Sequence, residues 1–335
     1  MLADKIEHYK ATKETLYTTP AKYKKQKEYE YLKRVDSLAL ANVQLQLQTA
    51  YKNFFRDKKV GFPKFKSIKH DRKSYTTNNQ DGTVSVTAKS IKLPKIGSVK
   101  AKIHKKPEVG WKIKSATISQ DSDGKFYASV LFEFDAIINQ VPISDNAIGF
   151  DYKSDGLYVD NNGNICGSPK YYRNSQKKLA KLQRRLSRKK KNSNNRNKAR
   201  IKVARLQKHI ANQRLDFLHK TSTEIANQYD IVCVENLDMK AMSNKSFGNG
   251  KATLDNGYGM FLRMLEYKLA DRGKYFIKVS KWYPSSQLCY SCGKQHKEMK
   301  NLSTRKFICE CGYENDRDTN AALNIRKEGF KLLTA

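Results

Sequence analysis

Three acids in this sequence stand where their chemistry could be shared. Asp151 closes the apolar run Ala147-Ile-Gly-Phe150, Glu235 closes Ile231-Val-Cys-Val234, and Asp318 stands just before the helical stretch Thr319-Asn-Ala-Ala-Leu-Asn-Ile325. Carboxylates at the ends of central elements can converge although they lie far apart along the chain. Oxygen-only ligands of this kind suit Mg²⁺ or Mn²⁺. Two such ions about 4 Å apart can activate a water and stabilise the leaving oxygen in phosphodiester hydrolysis. Each acid alone has a plainer explanation: Asp318 could cap its helix, and Asp151 or Glu235 could be a solvated strand end. The order Asp, Glu, Asp within an alternating β/α region argues for the joint role.

Four cysteines make a second constellation. Cys289-x-x-Cys292-Gly and Cys309-x-Cys311-Gly are separated by sixteen residues, the layout of two knuckles whose glycines permit tight turns around one tetrahedral Zn²⁺. Four thiolates leave no open position for water, so this zinc is expected to be structural. The other two cysteines, Cys166 and Cys233, stand alone. That usage suits a reduced compartment better than a disulfide framework, and a prokaryotic cytoplasmic, nucleoid-associated protein is the expectation. The six histidines are scattered without a ligand pair at helical spacing, and no Walker-type glycine loop is present, so neither a nucleophile triad nor ATP-driven chemistry is indicated.

The elements that must position these residues follow from periodicity. The strand ending at Asp151 leads into a hairpin, Leu157-Tyr-Val159 and the turn Asn161-Asn-Gly-Asn164 supplying strand and reversal. Residues 161–215 hold eighteen Lys or Arg and no acid. Leu179, Leu182 and Leu186 mark one helical face, Asn192-Ser-Asn-Asn195 interrupts, and Val203, Leu206, Ile210 and Phe217 mark a second helix. A basic helical hairpin over 170–227 is predicted, with Arg184, Arg185, Arg188, Lys189, Lys190 and Lys191 as phosphate-binding candidates. A solvated charged face normally mixes both signs, which this one does not. Ile231 to Glu235 reads as a buried central strand, Ser243 to Gly259 as a mobile loop, Tyr275 to Val279 as a strand, and a final helix runs from about Thr319 to Glu328. Upstream, residues 1–60 read as helical, with Asp36 able to cap a helix carrying Val43, Leu47, Ala50 and Phe54. Short β-rich runs over 61–140 (Thr83–Thr87, Ser90–Leu93, Val99–Ile103, Lys112–Ile118, Phe126–Phe134) predict a small antiparallel barrel or curled sheet. The whole chain of 335 residues carries 66 Lys and Arg against 32 Asp and Glu, a formal charge of +34. A polyanion such as DNA or RNA is the partner such charge implies.

In these motifs the chain resembles the TnpB family of transposon-encoded, RNA-guided DNA nucleases, relatives of the ancestors of type V CRISPR effectors. The resemblance rests on Asn53-Phe-Phe-Arg56 with Gly61-Phe-Pro-Lys-Phe-Lys-Ser67, Ile148-Gly-Phe-Asp151, Val234-Glu-Asn-Leu237 and Trp282-Tyr-Pro-Ser-Ser-Gln-x-Cys289. It also rests on Cys311-Gly followed by Asp316-Arg-Asp-Thr-Asn-Ala-Ala-Leu-Asn-Ile325. It implies an α/β RNase H-like (RuvC) nuclease domain over 147–335 with a zinc ribbon inserted at 285–315, preceded by a wedge-like β-barrel over 61–140 and a helical recognition segment over 1–60. It implies guide RNA and target DNA as partners, and assigns the third carboxylate to Asp318 rather than Asp316. It suggests Arg305 as a substrate contact. Family members usually begin with a wedge strand and a first recognition helix, whereas this sequence opens in helical sequence at Met1, so a shortened N-terminus is expected.

The preferred reading is therefore a Mg²⁺-dependent, RNA-guided DNA endonuclease in which base pairing reads most of the target. A shortened chain that holds guide RNA and target DNA without cutting is the alternative, favoured by the opening at Met1 and opposed by the intact triad. A stand-alone transposase is a third, opposed because those RNase H-like enzymes typically end on a helical Glu and the order here ends on Asp318.

Overall fold

The computed structural model describes residues 1–57, 59–67, 71–244, 250–301 and 303–335. Its chain divides into two units, Met1–Ala136 and Ile137–Ala335.

In the first unit, helices α1 (Leu2–Thr12), α2 (Pro20–Lys24) and α3 (Ser37–Arg56) precede two small sheets. The stretch 1–60, expected to be helical, is not continuous helix: Gln26 and Val35 are extended, bracketing a 3₁₀ segment, Lys27–Arg34. Asp36 caps α3 as expected, its carboxylate accepting from the amides of Leu38 at 3.3 Å and Ala39 at 3.0 Å. Leu47, Ala50 and Phe54 are half-buried, but Val43 is 52% exposed and is not part of the packed stripe. Strands β1 (Lys73–Asn78), β2 (Ser85–Val86), β3 (Ser90–Leu93), β4 (Gly97–Lys100), β5 (Lys112–Gln120) and β6 (Phe126–Glu133) form two antiparallel sheets, β1-β5-β6 and β2-β3-β4. The sheets share one apolar core of Val84, Ile91, Leu93 and Ala116. The sequence pattern misses β1, whose Lys-Ser-Tyr-Thr-Thr-Asn is polar. Polar groups secure it: Thr76 Oγ1 meets Thr117 Oγ1 at 2.7 Å, and Asn42 Nδ2 donates to the Thr76 carbonyl at 2.9 Å.

The second unit runs β7 (Ala147–Tyr152), β8 (Gly156–Asp160), β9 (Ile165–Gly167), α4 (Tyr171–Ser187), α5 (Asn194–Gln228), β10 (Ile231–Glu235), α6 (Met239–Met242), α7 (Gly250–Asn256), α8 (Tyr258–Ala270), β11 (Tyr275–Val279), β12 (Lys306–Ile308), β13 (Glu314–Asp316) and α9 (Arg317–Thr334). Its main sheet has the order β11-β10-β7-β8-β9. β7, β8 and β9 form the antiparallel meander, and β10 pairs parallel with both β7 and β11. This is the strand order of an RNase H-like sheet.

Alternation explains how β10 becomes the central strand. Val232 and Val234 face a core with Phe150, Leu157, Leu218, Tyr258, Phe261 and Leu265, whereas Ile231 and Cys233 face another with Ala147, Val279 and Ile325. A strand covered on both faces needs apolar residues at every position, which Ile231-Val-Cys-Val234 provides. Burying each such side chain contributes about 1.5–3 kcal/mol relative to exposure. The terminal helix is longer than its periodicity suggests, starting at Arg317 and ending at Thr334.

The segment Ser243 to Gly259, expected to be a mobile loop, is corrected in its second half. Residues 245–249 lie outside the described ones, but Gly250–Asn256 is helical, and Thr253, Asp255 and Asn256 are buried. Polar residues are buried here because they are paired, as described below. Among the described residues no helix is long and apolar enough to cross a membrane.

Candidate active site and metal centre

The carboxylates are brought together by the crossing of α9 over β7 and β10. A β-carbon at Gly149 would lie 2.3 Å from the Ala322 carbonyl oxygen, and one at Gly329 would lie 2.4 Å from Cys233 Sγ. Two glycines, one on the strand and one on the helix, thus let the backbone of α9 rest on the sheet. Arg326 fastens the crossing, its Nε donating to the Ala147 carbonyl at 2.9 Å and its Nη2 to that of Asp145 at 3.0 Å. The first turn of α9 is carried in this way to the carboxyl ends of β7 and β10. Val234 pairs with Phe150, so the next residues, Asp151, last but one of β7, and Glu235, last of β10, follow in the same register.

Asp316 and Asp318 have separate tasks. Asp316 caps α9, Oδ1 accepting from the amides of Asp318 at 2.9 Å and Thr319 at 3.1 Å. Asp318, inside the first helical turn, is released from capping. It lines a cleft of about 900 Å³ together with Asp151, Glu235, Lys153, Lys281, Trp282, Lys300, Arg305 and Arg317.

The electrostatics of this cleft are those of crowded acids. Burial, reinforced by the charges of Asp318 and Glu235, pushes the Asp151 carboxyl up to about 8, against the opposing pull of Arg317 and Lys153. Burial alone pushes Glu235 up to about 7. Lys153 Nζ stands 3.1 Å from Asp318 Oδ2, and Arg305 Nη1 stands 3.8 Å from the same oxygen. Oxygen-only donors half withdrawn from water and repelling one another fit a hard divalent cation. The ligand oxygens of the three acids do not all lie within 4.8 Å of one another, as the cysteine Sγ atoms do.

The cysteines converge separately. Sγ atoms of Cys289, Cys292, Cys309 and Cys311 all lie within 4.8 Å of one another, with Cys289–Cys311 at 3.7 Å and Cys292–Cys309 at 3.6 Å. A tetrahedron of thiolates about 2.3 Å from Zn²⁺ has edges of about 3.8 Å. The donor set therefore fits that ion. The Tyr313 amide beside Cys311 draws its thiol down, whereas that of Cys309, despite the pull of the Cys311 amide, is pushed up by burial and the neighbouring thiols, so the two share one proton unequally. His296 was not singled out by its sequence context, yet its Nε2 lies 3.2 Å from Cys309 Sγ and its Nδ1 lies 2.9 Å from Glu298 Oε1. Were a zinc ion held there, His296 would be placed to orient Cys309.

The basic hairpin is present as α4 and α5, packed through Leu179, Val203 and Ile210. Arg184, Arg185, Arg188, Lys189, Lys190 and Lys191 cluster at its tip, and all are exposed. None is among the residues lining the cleft. Arg196 braces the tip, its Nη1 donating to the carbonyls of Leu186 at 3.0 Å and Lys189 at 3.1 Å. The base of the hairpin is held by the buried Asp255, which accepts from the amides of Tyr172 at 2.9 Å and Arg173 at 3.2 Å and from Arg173 Nε at 3.2 Å. Beside it, Asn256 Nδ2 donates to the Ser154 carbonyl at 2.7 Å, tying α7 to the turn after Asp151.

Residues 129–246 match the family described as "Probable transposase" (OrfB_IS605), and residues 258–325 match "Cas12f1-like, TNB domain". A "Putative RNA-guided DNA endonuclease" of Streptomyces pristinaespiralis is 35% identical over 318 residues, covering 92% of this chain and 75% of that protein. "Putative RNA-guided DNA endonuclease InsQ" of Escherichia coli (strain K12) is 34% identical over 326 residues, covering 93% of this chain and 79% of that protein. Among solved structures, that of the Cas12f1-sgRNA-target DNA complex aligns with a TM-score of 0.58 at 16% identity, over 96% of this chain and 77% of that one. The fold is thus shared with Cas12f1.

Proposed function

Because the chain belongs to the TnpB/IS605 transposase family, we propose that it is an RNA-guided DNA endonuclease that hydrolyses phosphodiester bonds at Asp151, Glu235 and Asp318. The observation that carries this reading is the arrival of three carboxylates, from β7, β10 and α9, in one cleft lined by cationic side chains. Mg²⁺, or Mn²⁺ in its place, would supply the charge that activates the attacking water and neutralises the leaving oxygen.

The remaining work belongs to the chain. Asp151 and Glu235, held towards the ends of adjacent strands, would give up their protons to hold metal. Asp318 would complete the ligand set, its position fixed by the α9 crossing. Arg305, 67% exposed at the mouth of the cleft, is suited to meet a substrate phosphate. The cysteine knuckles over 285–315 act as a zinc ribbon inserted before Asp318, holding β12 and β13 in front of α9. The hairpin over 170–227 grips phosphates at its tip, and guide RNA with target DNA forms the polyanion that the net charge accommodates. Residues 61–140 would serve as a wedge-like β-domain and 1–60 as a helical recognition segment, with the nuclease domain over 147–335. The expected setting is a prokaryotic cytoplasm, at the nucleoid.

Sequencing the RNA that copurifies with the protein tests guidance. One discrete RNA species, with cleavage of DNA complementary to its end, supports the reading. Cleavage that is indifferent to RNA contradicts it.

A further inference from the structure

Trp282 is placed in a way that packing does not explain. It is 82% exposed, the most exposed aromatic side chain described in the second unit, and it lines the same cleft as the three carboxylates. It lies three residues beyond Val279, the register partner of Glu235. The Asn236 amide donates to the Val279 carbonyl at 2.9 Å, so the exits of β10 and β11 are tied together where Trp282 emerges.

The turn that presents the indole is fixed. Trp282 N donates to Ser280 Oγ at 3.3 Å, and Tyr283 N donates to the Ser280 carbonyl at 3.0 Å. Tyr283 packs into the core under β11, and Asn324 of α9 clamps the following segment by donating to the carbonyls of Ser285 at 2.9 Å and Leu288 at 2.7 Å. Lys281 Nζ lies 4.8 Å from the indole ring centroid. With one face so attended, an exposure of 82% leaves the other face to solvent. An exposed aromatic plane on a backbone turn held by hydrogen bonds, with an adjoining cation and beside the carboxylate cleft, matches what a nucleobase and its phosphate require.

We propose that Trp282 and Lys281 form a nucleobase-stacking subsite that takes one unpaired base of the strand being cut. This rests on the phosphodiesterase reading above. Within a duplex both faces of a base are already stacked, so the subsite selects a single strand or a locally opened one. Stacking is blind to base identity, which suits a nuclease whose sequence choice lies elsewhere. Trp282 positions the strand, and the carboxylates act on it.

The test uses the full-length protein in Mg²⁺-free buffer at raised salt, so that binding is read without cutting. The chain has two tryptophans, and Trp111→Phe leaves Trp282 as the only indole reporter. A short single-stranded oligothymidylate should quench its fluorescence, and a blunt duplex of equal length should not. Trp282→Ala should weaken single-strand binding by about five- to a hundredfold, with Trp282→Phe retaining most of the affinity. An oligonucleotide abasic throughout should bind wild type and Trp282→Ala alike. Equal affinity of wild type and Trp282→Ala for the oligothymidylate, or quenching as strong by the duplex, would overturn the subsite. Cleavage unaffected by loss of Asp151 would sink the phosphodiesterase reading instead, and that separate assay keeps the two failures apart.

Discussion

Gly149 of the central sheet and Ala322 of the terminal helix approach so closely that a β-carbon on the strand would stand 2.3 Å from the helix carbonyl. This contact sets how far α9 can descend, and therefore where Asp318 meets Asp151. Gly149→Ala is expected to push the helix off the sheet, at a cost of about 1–3 kcal/mol or more for overpacking. Thermal unfolding should show the loss of stability, and cleavage should fall further than in variants of equal Tm altered elsewhere in the core. A Gly149→Ala protein with unchanged Tm and activity would show that the contact does not govern the site.

The raised Asp151 carboxyl gives a pH prediction. At about 8 in the folded chain against 3.8 for the free side chain, Asp151 retains its proton on folding over the interval between. The folded state then binds more protons than the unfolded one, so stability falls as pH rises from about 4 towards 8. In Mg²⁺-free buffer Asp151→Asn should remove this penalty, raising Tm most above pH 8 and scarcely at pH 4. Each kcal/mol recovered corresponds to about 2–4 °C in a domain of this size. The same substitution should abolish cutting. A Tm difference that does not grow with pH would contradict the burial of this charge.

Cys289→Ser or Cys311→Ser should release zinc and loosen the C-terminal part of the chain, since metal-binding energy at such knuckles is folding energy. Elemental analysis should find about one zinc per wild-type chain and little in either variant. His296→Ala should be milder, weakening zinc about 10–100-fold as the loss of an orienting partner does. A folded wild type without zinc would remove the ribbon assignment.

Replacing Arg184, Arg185, Arg188, Lys189, Lys190 and Lys191 by neutral residues should weaken RNA binding about equally for all sequences. The slope of log affinity against log salt should flatten by about one per lost phosphate contact. Filter-binding across a salt series reads both quantities. An unchanged slope would mean that the hairpin tip is only solvated.

What the sequence discloses and what it hides divide along a physical line. Ile231-Val-Cys-Val234 announces a strand buried on both faces, and Ile148-Gly-Phe-Asp151 announces a strand ending in an acid, because local pattern alone dictates those elements. The roles of Asp316 and Asp318 need a three-dimensional cap to separate them, since both are acids at a helix start. Asp255 is invisible in the same way: it caps α4 from 83 residues away, so its neighbours in sequence read as loop. The polar β1, the exposed Val43 and the contact of His296 with Cys309 likewise depend on partners that no window of sequence contains. The division of the β-rich region into two sheets around one core, where the pattern suggested a barrel or curled sheet, is decided by long-range pairing of the same kind.

If one cleft does the cutting, its three acids are indispensable. The direct measurement is cleavage of guide-matched DNA, with Mg²⁺ present, by wild type, Asp151→Ala, Glu235→Ala, Asp318→Ala and the control Asp316→Ala, each also assayed for RNA binding. The three single variants should lose cutting by at least about 100-fold while binding RNA as wild type does. Asp316→Ala, which loses only a helix cap worth about 1 kcal/mol, should remain active. Full activity in any one of the three would contradict cutting in this cleft.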